Sequence, residues 1–245
     1  MKIGGAGTIL RAVTNPLKNN YLVRGAWCVG AAVTLVSCGG RQHPQEPQPT
    51  APLPTAGVAA QQVSVLPLTL VATEDELHWE ALLGERQAVL AKSDSVIGTL
   101  LKARAPEVTW VLPDELRRAV RRAPGIAPNP DQMGSAILLH GTKQKPEMVP
   151  DPLRSELRTL SALAGSGGGR YALIPAGLVY RRTVAPADGR TVTAGPVGRA
   201  TAELTVVMVD VRTGRVGFRT VARGEGDDPW TALTRAVKNL TPGLP

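Results

Sequence analysis

Apolar and polar positions divide the chain into a folded stretch with clear periodicity and a leading stretch without it. From residue 63 onward apolar side chains recur at spacings of two and of about 3.6, the marks of strands and of one-faced helices. Val63 to Val71 (VSVLPLTLV) reads as a strand, with Pro67 placing it at an edge or in a bulge because proline has no N–H for the ladder. Thr73-Glu74-Asp75-Glu76 reads as a capped helix start before Leu77, Trp79, Leu82 and Leu83. A second helix is expected near Ser93-Asp94-Ser95, with Val96, Ile97, Leu100 and Leu101 on one face and Pro106 ending it. Val108 to Leu112 is the next strand, and Pro113-Asp114 opens a short helix to Arg122 in which Leu116 and Val120 share a face.

Between Ala123 and Pro150 the pattern is irregular, with one short helix expected from Asn129-Pro130 that carries Met133, Ile137 and Leu138. Asp151-Pro152 opens a clearer amphipathic helix, with Leu153, Leu157, Leu160 and Leu163 in line, which ends in the glycine-rich run Gly165 to Gly169. Tyr171 to Tyr180 reads as a strand kinked or bulged at Pro175 and Gly177. Ala202 to Val211 and Val216 to Ala222 flank the loop Arg212-Thr213-Gly214-Arg215 and read as a hairpin. Asp228-Pro229 opens a last helix with Trp230, Leu233, Val237 and Leu240 on one face. Trp79 and Trp230 fall in phase with apolar neighbours and read as core. The order β-α-α-β-α-α-β-β-β-α predicts one α/β domain over 63–245: a single mixed β-sheet of about five strands with helices packed on it.

The leading stretch has another logic. Lys2, Arg11, Lys18 and Arg24 are the only charges before Cys38, and an apolar run from Ala26 to Val36 follows them. Eleven residues are too few for a membrane span, which needs about 20. A basic region followed by an apolar run and small residues is the layout of an export signal. The 24 residues ahead of Gly25 are long for such a signal, and translation from Val23 would shorten them. The run closes on Leu35-Val36-Ser37-Cys38, which resembles the lipobox of bacterial lipoproteins. That resemblance implies a signal peptide over 1–37, lipidation (palmitate among the acyl groups) at Cys38 as the first mature residue, and membrane attachment through an N-terminal lipid. Gly39 rather than aspartate after the cysteine implies, by the same resemblance, the outer membrane, with the domain facing the periplasm. Residues 38–62 are rich in Pro and Gln and poor in large apolar side chains, so a disordered tether is expected. Its roughly 24 residues would reach on the order of 70 Å extended and about 27 Å as a coil.

Charge and cysteine content narrow the partners. The formal charge is +8, but four of the 28 basic residues leave with the signal, so 24 face 20 acidic residues in the mature chain. That mild excess gives no warrant for a nucleic-acid partner. Cys28 leaves and Cys38 carries lipid, so no disulfide is available within the mature chain, and with 3% aromatic residues its core must be aliphatic. Arg117, Arg118, Arg121 and Arg122 crowd one side of the helix after Pro113. They read either as a patch for phosphate groups of lipid or cell-wall polymer, or as a solvated face partly paired with Asp114 and Glu115.

Catalytic chemistry has little to work with. His43 lies in the tether, and His78 and His140 have no histidine or cysteine nearby at ligand spacing, so no metal is expected. Ser166 follows a helix and precedes a strand, the reverse of a nucleophile elbow. Gly165 to Gly169 lacks the Lys-Ser/Thr of a phosphate loop. Glu74-Asp75-Glu76 and Asp227-Asp228 fit helix starts, where negative charge meets the dipole. No catalytic residue and no cofactor are expected.

The order of elements, VSVLPLTLV, ALIPAGLV after a glycine turn, and TVVMVDVRTGRVGFRTVARGEG before a closing helix resemble a group of periplasmic domains. These are the amino-terminal domain of TolB, the curli secretion lipoproteins and the lipoprotein activators of penicillin-binding proteins. The most specific piece is Val209 to Val216, an apolar strand, a D-x-x-T-G turn and a returning strand. The resemblance implies a small α/β domain that binds other envelope proteins and does no covalent chemistry. Thr183 to Arg199, the one place for a curli-type barrel insertion, is short and does not alternate. The expected function is a lipid-anchored adaptor or regulator of another envelope protein, in cell-wall synthesis, outer-membrane maintenance or secretion. The alternative is a lipoprotein that binds an anionic envelope polymer or lipid through its arginine-rich helix.

Overall fold

In the computed structural model, which describes residues 53–142, 146–164, 169–183 and 199–240, the strands form a single open sheet. They are β1 (Gln62–Val65), β2 (Val71–Thr73), β3 (Thr109–Val111), β4 (Tyr171–Arg182), β5 (Ala200–Asp210) and β6 (Arg215–Gly226). Their spatial order is β3-β1-β4-β5-β6, with β2 also on β4. The pairs around β1 and β2 are parallel and the β4–β5–β6 meander is antiparallel, so the sheet is mixed as expected. Among the described residues five α-helices accompany it: α1 (Glu80–Leu83), α2 (Arg86–Arg104), α3 (Pro113–Arg122), α4 (Leu153–Leu163) and α5 (Pro229–Leu240). The expected signal, lipobox and Cys38 lie outside the described residues, as do 165–168 of the glycine run and 184–198.

Among the described residues there are six strands rather than about five because Val63 to Val71 divides. β1 pairs Val63 with Tyr171 at the start of β4, and β2 pairs Val71 with Leu178 further along it. Pro67 falls in the break, where its missing N–H costs no ladder bond. Among the described residues β1 runs between β3 and β4, whereas β2 pairs with β4 alone, so only the half after Pro67 is an edge strand. β4 compensates with its own bulge at Pro175/Gly177. Leu173, Leu178 and Tyr180 all pack into the same core, although 173 and 178 differ in parity. The extra residue at the bulge reverses the alternation and keeps the second half of β4 in phase.

That first core lies under α2 and α5, against Leu204, Val206 and Ala222 of the sheet. α5 begins where Asp228 accepts the N–H groups of Trp230 and Thr231 at 2.9 and 3.0 Å, as the Asp-Pro start predicts. It lies so close to β6 that a Cβ at Gly224 would sit 2.6 Å from the carbonyl carbon of Arg235. Trp79 is buried edge-on to Tyr180, whereas Trp230 is half-buried beneath the Lys92 ammonium, 3.8 Å from the ring centre.

The second core lies on the opposite face. Leu116 of α3 and Leu153, Leu157 and Leu160 of α4 meet Ala172, Ile174, Val207 and Val209. Met133, Leu138 and Val149 from the irregular 123–150 stretch complete it. The short helix expected there is two 3₁₀ turns, Pro130–Gln132 and Ser135–Leu139. The stretch is tied to the sheet where Val149 donates to Gly214 and Val216 to Glu147, at 2.8 and 2.9 Å. Arg219 of β6 also donates to the Leu138 carbonyl and pairs with Glu147.

Two boundaries move. The helix expected near Ser93 starts at Arg86, so Ser93-Asp94-Ser95 lies mid-helix. Ahead of it, the 3₁₀ turn Asp75–Leu77 and α1 are separated by His78, and α1 from α2 by Gly84, both at positive φ. Ser93 and Asp94 cap nothing because both are buried on the inner side of α2. The tether expected over 38–62 also gives up its last part to the fold. Leu53 and Val58 belong to the first core, Leu53 donates to the carbonyl of Leu240 at 2.9 Å, and Ala60 donates to Glu107 at 2.8 Å. The folded chain therefore begins by Leu53 rather than at 63.

Candidate functional site

A polar cluster with a buried carboxylate is built around Asp94. Its Oδ1 accepts the Leu68 N–H at 2.8 Å, in the break between β1 and β2, and its Oδ2 meets Arg117 Nη2 at 2.7 Å. Arg117 also reaches Asp114 at 2.8 Å and Asp131 at 2.6 Å, so one guanidinium joins α2, α3 and the 3₁₀ turn after Asn129. The two ends of the Asp94–Arg117 pair respond differently. Arg117 is held protonated more firmly than usual, chiefly by its hydrogen bonds with Asp131, against the opposing effect of burial. Burial pushes the Asp94 carboxyl up to about 6, despite the opposing hydrogen bonds from Leu68 and Arg117. A cation shared among three carboxylates compensates each only in part, so desolvation wins at the most buried one. Beside the cluster lies a groove of about 690 Å³ lined by Leu68, Thr69, Arg86, Leu90, Arg117 and Asp131, among others.

This removes Arg117 from the expected four-arginine patch: its side chain is turned into the ion-pair hub and is only 21% exposed. Arg118, Arg121 and Arg122 remain together, lining a depression of about 590 Å³ with Glu115 and Ala164. The expected pairing of the arginines with Asp114 and Glu115 holds for Arg117 and Asp114 alone. Glu115 instead meets Lys102 of α2 at 3.3 Å. Among the described residues, Arg118, Arg121 and Arg122 have no ion-pair partner.

A second charged array crosses β4, β5 and β6, where Glu74 and Glu203 meet Arg181 at 3.1 and 2.9 Å, and Glu203 also meets Arg223 at 2.9 Å. Burial pushes Glu203 upward, but the hydrogen bonds from Arg223 and Arg181 outweigh it and hold the carboxyl below its usual range. Burial, and secondarily Asp228, raises the Tyr180 phenol, which donates to the Pro229 carbonyl at 3.1 Å.

His78 and His140 each end a separate 3₁₀ turn. Among the described residues no group of three potential metal ligands converges, and no helix is long and apolar enough to cross a membrane. The sequence places Asp94 near a helix start and gives Asp131 no role. The signal for Asp94 was present: Leu90, Asp94, Ile97 and Leu101 share one helical stripe, and a carboxylate in an apolar stripe calls for a cation. Asp131 carries no comparable signal.

No family model and no curated protein matches the chain. Solved structures do. The LpoB C-terminal domain from Salmonella enterica is 13% identical, with 69% of this chain and 84% of that one covered and a TM-score of 0.33. The hypothetical protein CT253 from Chlamydia trachomatis is 14% identical, with 67% and 72% covered and a TM-score of 0.34. A PelC dodecamer from Paraburkholderia phytofirmans is 12% identical, with 78% and 94% covered and a TM-score of 0.32. Likenesses of this size assign neither a partner nor a task.

Proposed function

We propose that the protein is a lipid-anchored adaptor of a bacterial envelope. Cys38, acylated after cleavage behind Leu35-Val36-Ser37, attaches it to the outer membrane. The domain from Leu53 onward faces the periplasm and docks onto another envelope protein without covalent chemistry. The observation that carries the reading is the LVSC box closing a purely basic leader and apolar run ahead of a folded α/β domain. The resemblance of Val209 to Val216 to the turn of envelope-lipoprotein domains supports it, and the turn has the geometry this requires: Gly214 has φ +75° and donates to Asp210 at 2.8 Å.

The test has two arms. Cells fed an alkynyl fatty acid should label the protein, and Cys38→Ala should abolish both the label and recovery with outer membranes. Leu82, Ile126 and Ile137 are large apolar side chains exposed by 58%, 62% and 60%, and suit photo-crosslinking residues. One discrete envelope protein captured from any of them supports docking. Label that survives Cys38→Ala sinks the anchor, and no discrete adduct from all three positions sinks the adaptor.

A further inference from the structure

The three arginines left after Arg117 turns inward make a surface of defined chemistry. Arg118, Arg121 and Arg122 lie at i, i+3 and i+4 on α3, so their guanidinium groups project from one side of the helix. They line a common depression, and its one acidic member among the described residues, Glu115, is engaged by Lys102. Favourable interaction with the helix dipole explains Arg121 and Arg122 in the last turn. It does not explain Arg118 one turn earlier, nor the absence of a carboxylate partner for all three among the described residues. Convergent, unpaired guanidinium forks suit the tetrahedral oxyanion of a phosphate ester, which accepts paired N–H bonds.

The position of the depression chooses the source of that phosphate. Glu115, on its rim, contacts Lys102 in the last turn of α2, and just beyond that helix Glu107 accepts the N–H of Ala60. Ala164, on its other side, closes α4 shortly before Gly169, whose Cβ, if present, would lie 3.0 Å from the Gln62 carbonyl. Both connections put the depression at the end of the domain where the chain comes in from the N-terminus. Fourteen residues separate Cys38 from Leu53, a reach of at most about 50 Å. An acylated Cys38 would therefore hold this end of the domain near the bilayer, where headgroup phosphates are the nearest abundant anions.

We infer that Arg118, Arg121 and Arg122 form a membrane-facing site for the phosphates of anionic phospholipids, which orients the domain on the leaflet that carries its anchor. This rests on the anchor reading above. The acyl chains supply attachment, and the arginines fix which side of the domain faces the lipid and which is presented outward. Each basic side chain at an anionic surface strengthens binding roughly fivefold, so the three together contribute on the order of 100-fold.

The experiment uses the chain from residue 38 onward with Cys38→Ser, so that no acyl group contributes. It is co-sedimented with vesicles of phosphatidylcholine alone or doped with phosphatidylglycerol. Binding to the doped vesicles only, weakened steeply by salt and on the order of 100-fold by the triple variant R118S/R121S/R122S with an unchanged thermal midpoint, is the expected result. Binding that survives the triple variant overturns the site, as does no binding to doped vesicles. Saturable binding of glycerol phosphate through the same arginines without vesicle binding overturns the membrane assignment. Since the probe carries no lipid, these failures strike the arginine site alone, while failed acyl labelling at Cys38 strikes the anchor.

Discussion

On one face of the sheet, α2 and α5 press long rows of aliphatic and alanine side chains onto β4, β5 and β6. On the other, α3 and α4 cover part of the surface and a stretch without regular α-helix closes the remainder, tied down by Arg117 and Arg219. The contrast shows two ways to hold a layer. A regular helix satisfies its own backbone and needs only apolar area against its partner. An irregular segment leaves N–H and C=O groups to be met elsewhere, and here arginines from the neighbouring helix and strand reach across to hold it.

Breaking each face should therefore look different. The largest effect is expected for Gly224→Ala, because the new methyl meets α5 backbone that cannot move without lifting the helix. A loss of about 3 kcal/mol or more, read by chemical denaturation, should come with cooperative unfolding of the whole domain. Arg117→Leu should cost about 3 kcal/mol by leaving Asp94 buried without its cation. Adding Asp94→Leu to it should restore part of that loss, and a double variant no more stable than the single would show the pair to be unimportant.

The same pair has a pH signature. Asp94 ionises at about 6 in the fold against an ordinary value of 3.8, so between those values the folded form keeps a proton that the unfolded form has lost. Its contribution is fully present below the ordinary value and disappears as pH rises through about 6, by up to about 3 kcal/mol. Asp94→Asn should flatten the stability profile across that window. Glu203 acts in the opposite sense, its contribution being present above the ordinary value and lost on acidification.

Smaller effects sharpen the contrast. Arg219→Met should cost about 1–2 kcal/mol and act locally, speeding amide exchange around Leu138 and Val149 while the α2–α5 face stays protected. Asp228→Ala, which removes the cap of α5, should cost about 1 kcal/mol without local opening elsewhere.

The regular face was the legible one. The alternation of β5 and β6, the Asp210 to Gly214 turn and the face of α5 follow from periods and caps contained within a dozen residues, and the structure has them. The division of Val63 to Val71 was half legible: Pro67 announced an interruption, but only pairing with β4, a hundred residues away, turns one strand into two. Arg117 was grouped with its sequence neighbours because helical spacing puts all four arginines on one side. What separates it is Asp94 and Asp131, which reach it through tertiary packing. Leu53 and Val58 were hidden for a similar reason, since two isolated apolar residues in a proline-rich stretch give no period. Their burial depends on α2 and α5, which the local sequence does not contain.

The fastening of Leu53 to Leu240 has a mechanical meaning. A tug on an anchored N-terminus would travel along the chain to that clasp, then to the bond between Ala60 and Glu107, and finally into β1. β1 is gripped on both flanks by parallel neighbours and would be drawn along its own axis, so its hydrogen bonds would strain together instead of parting one at a time. If the proposed anchor is there, a domain leashed in this way would resist being peeled open by its own leash.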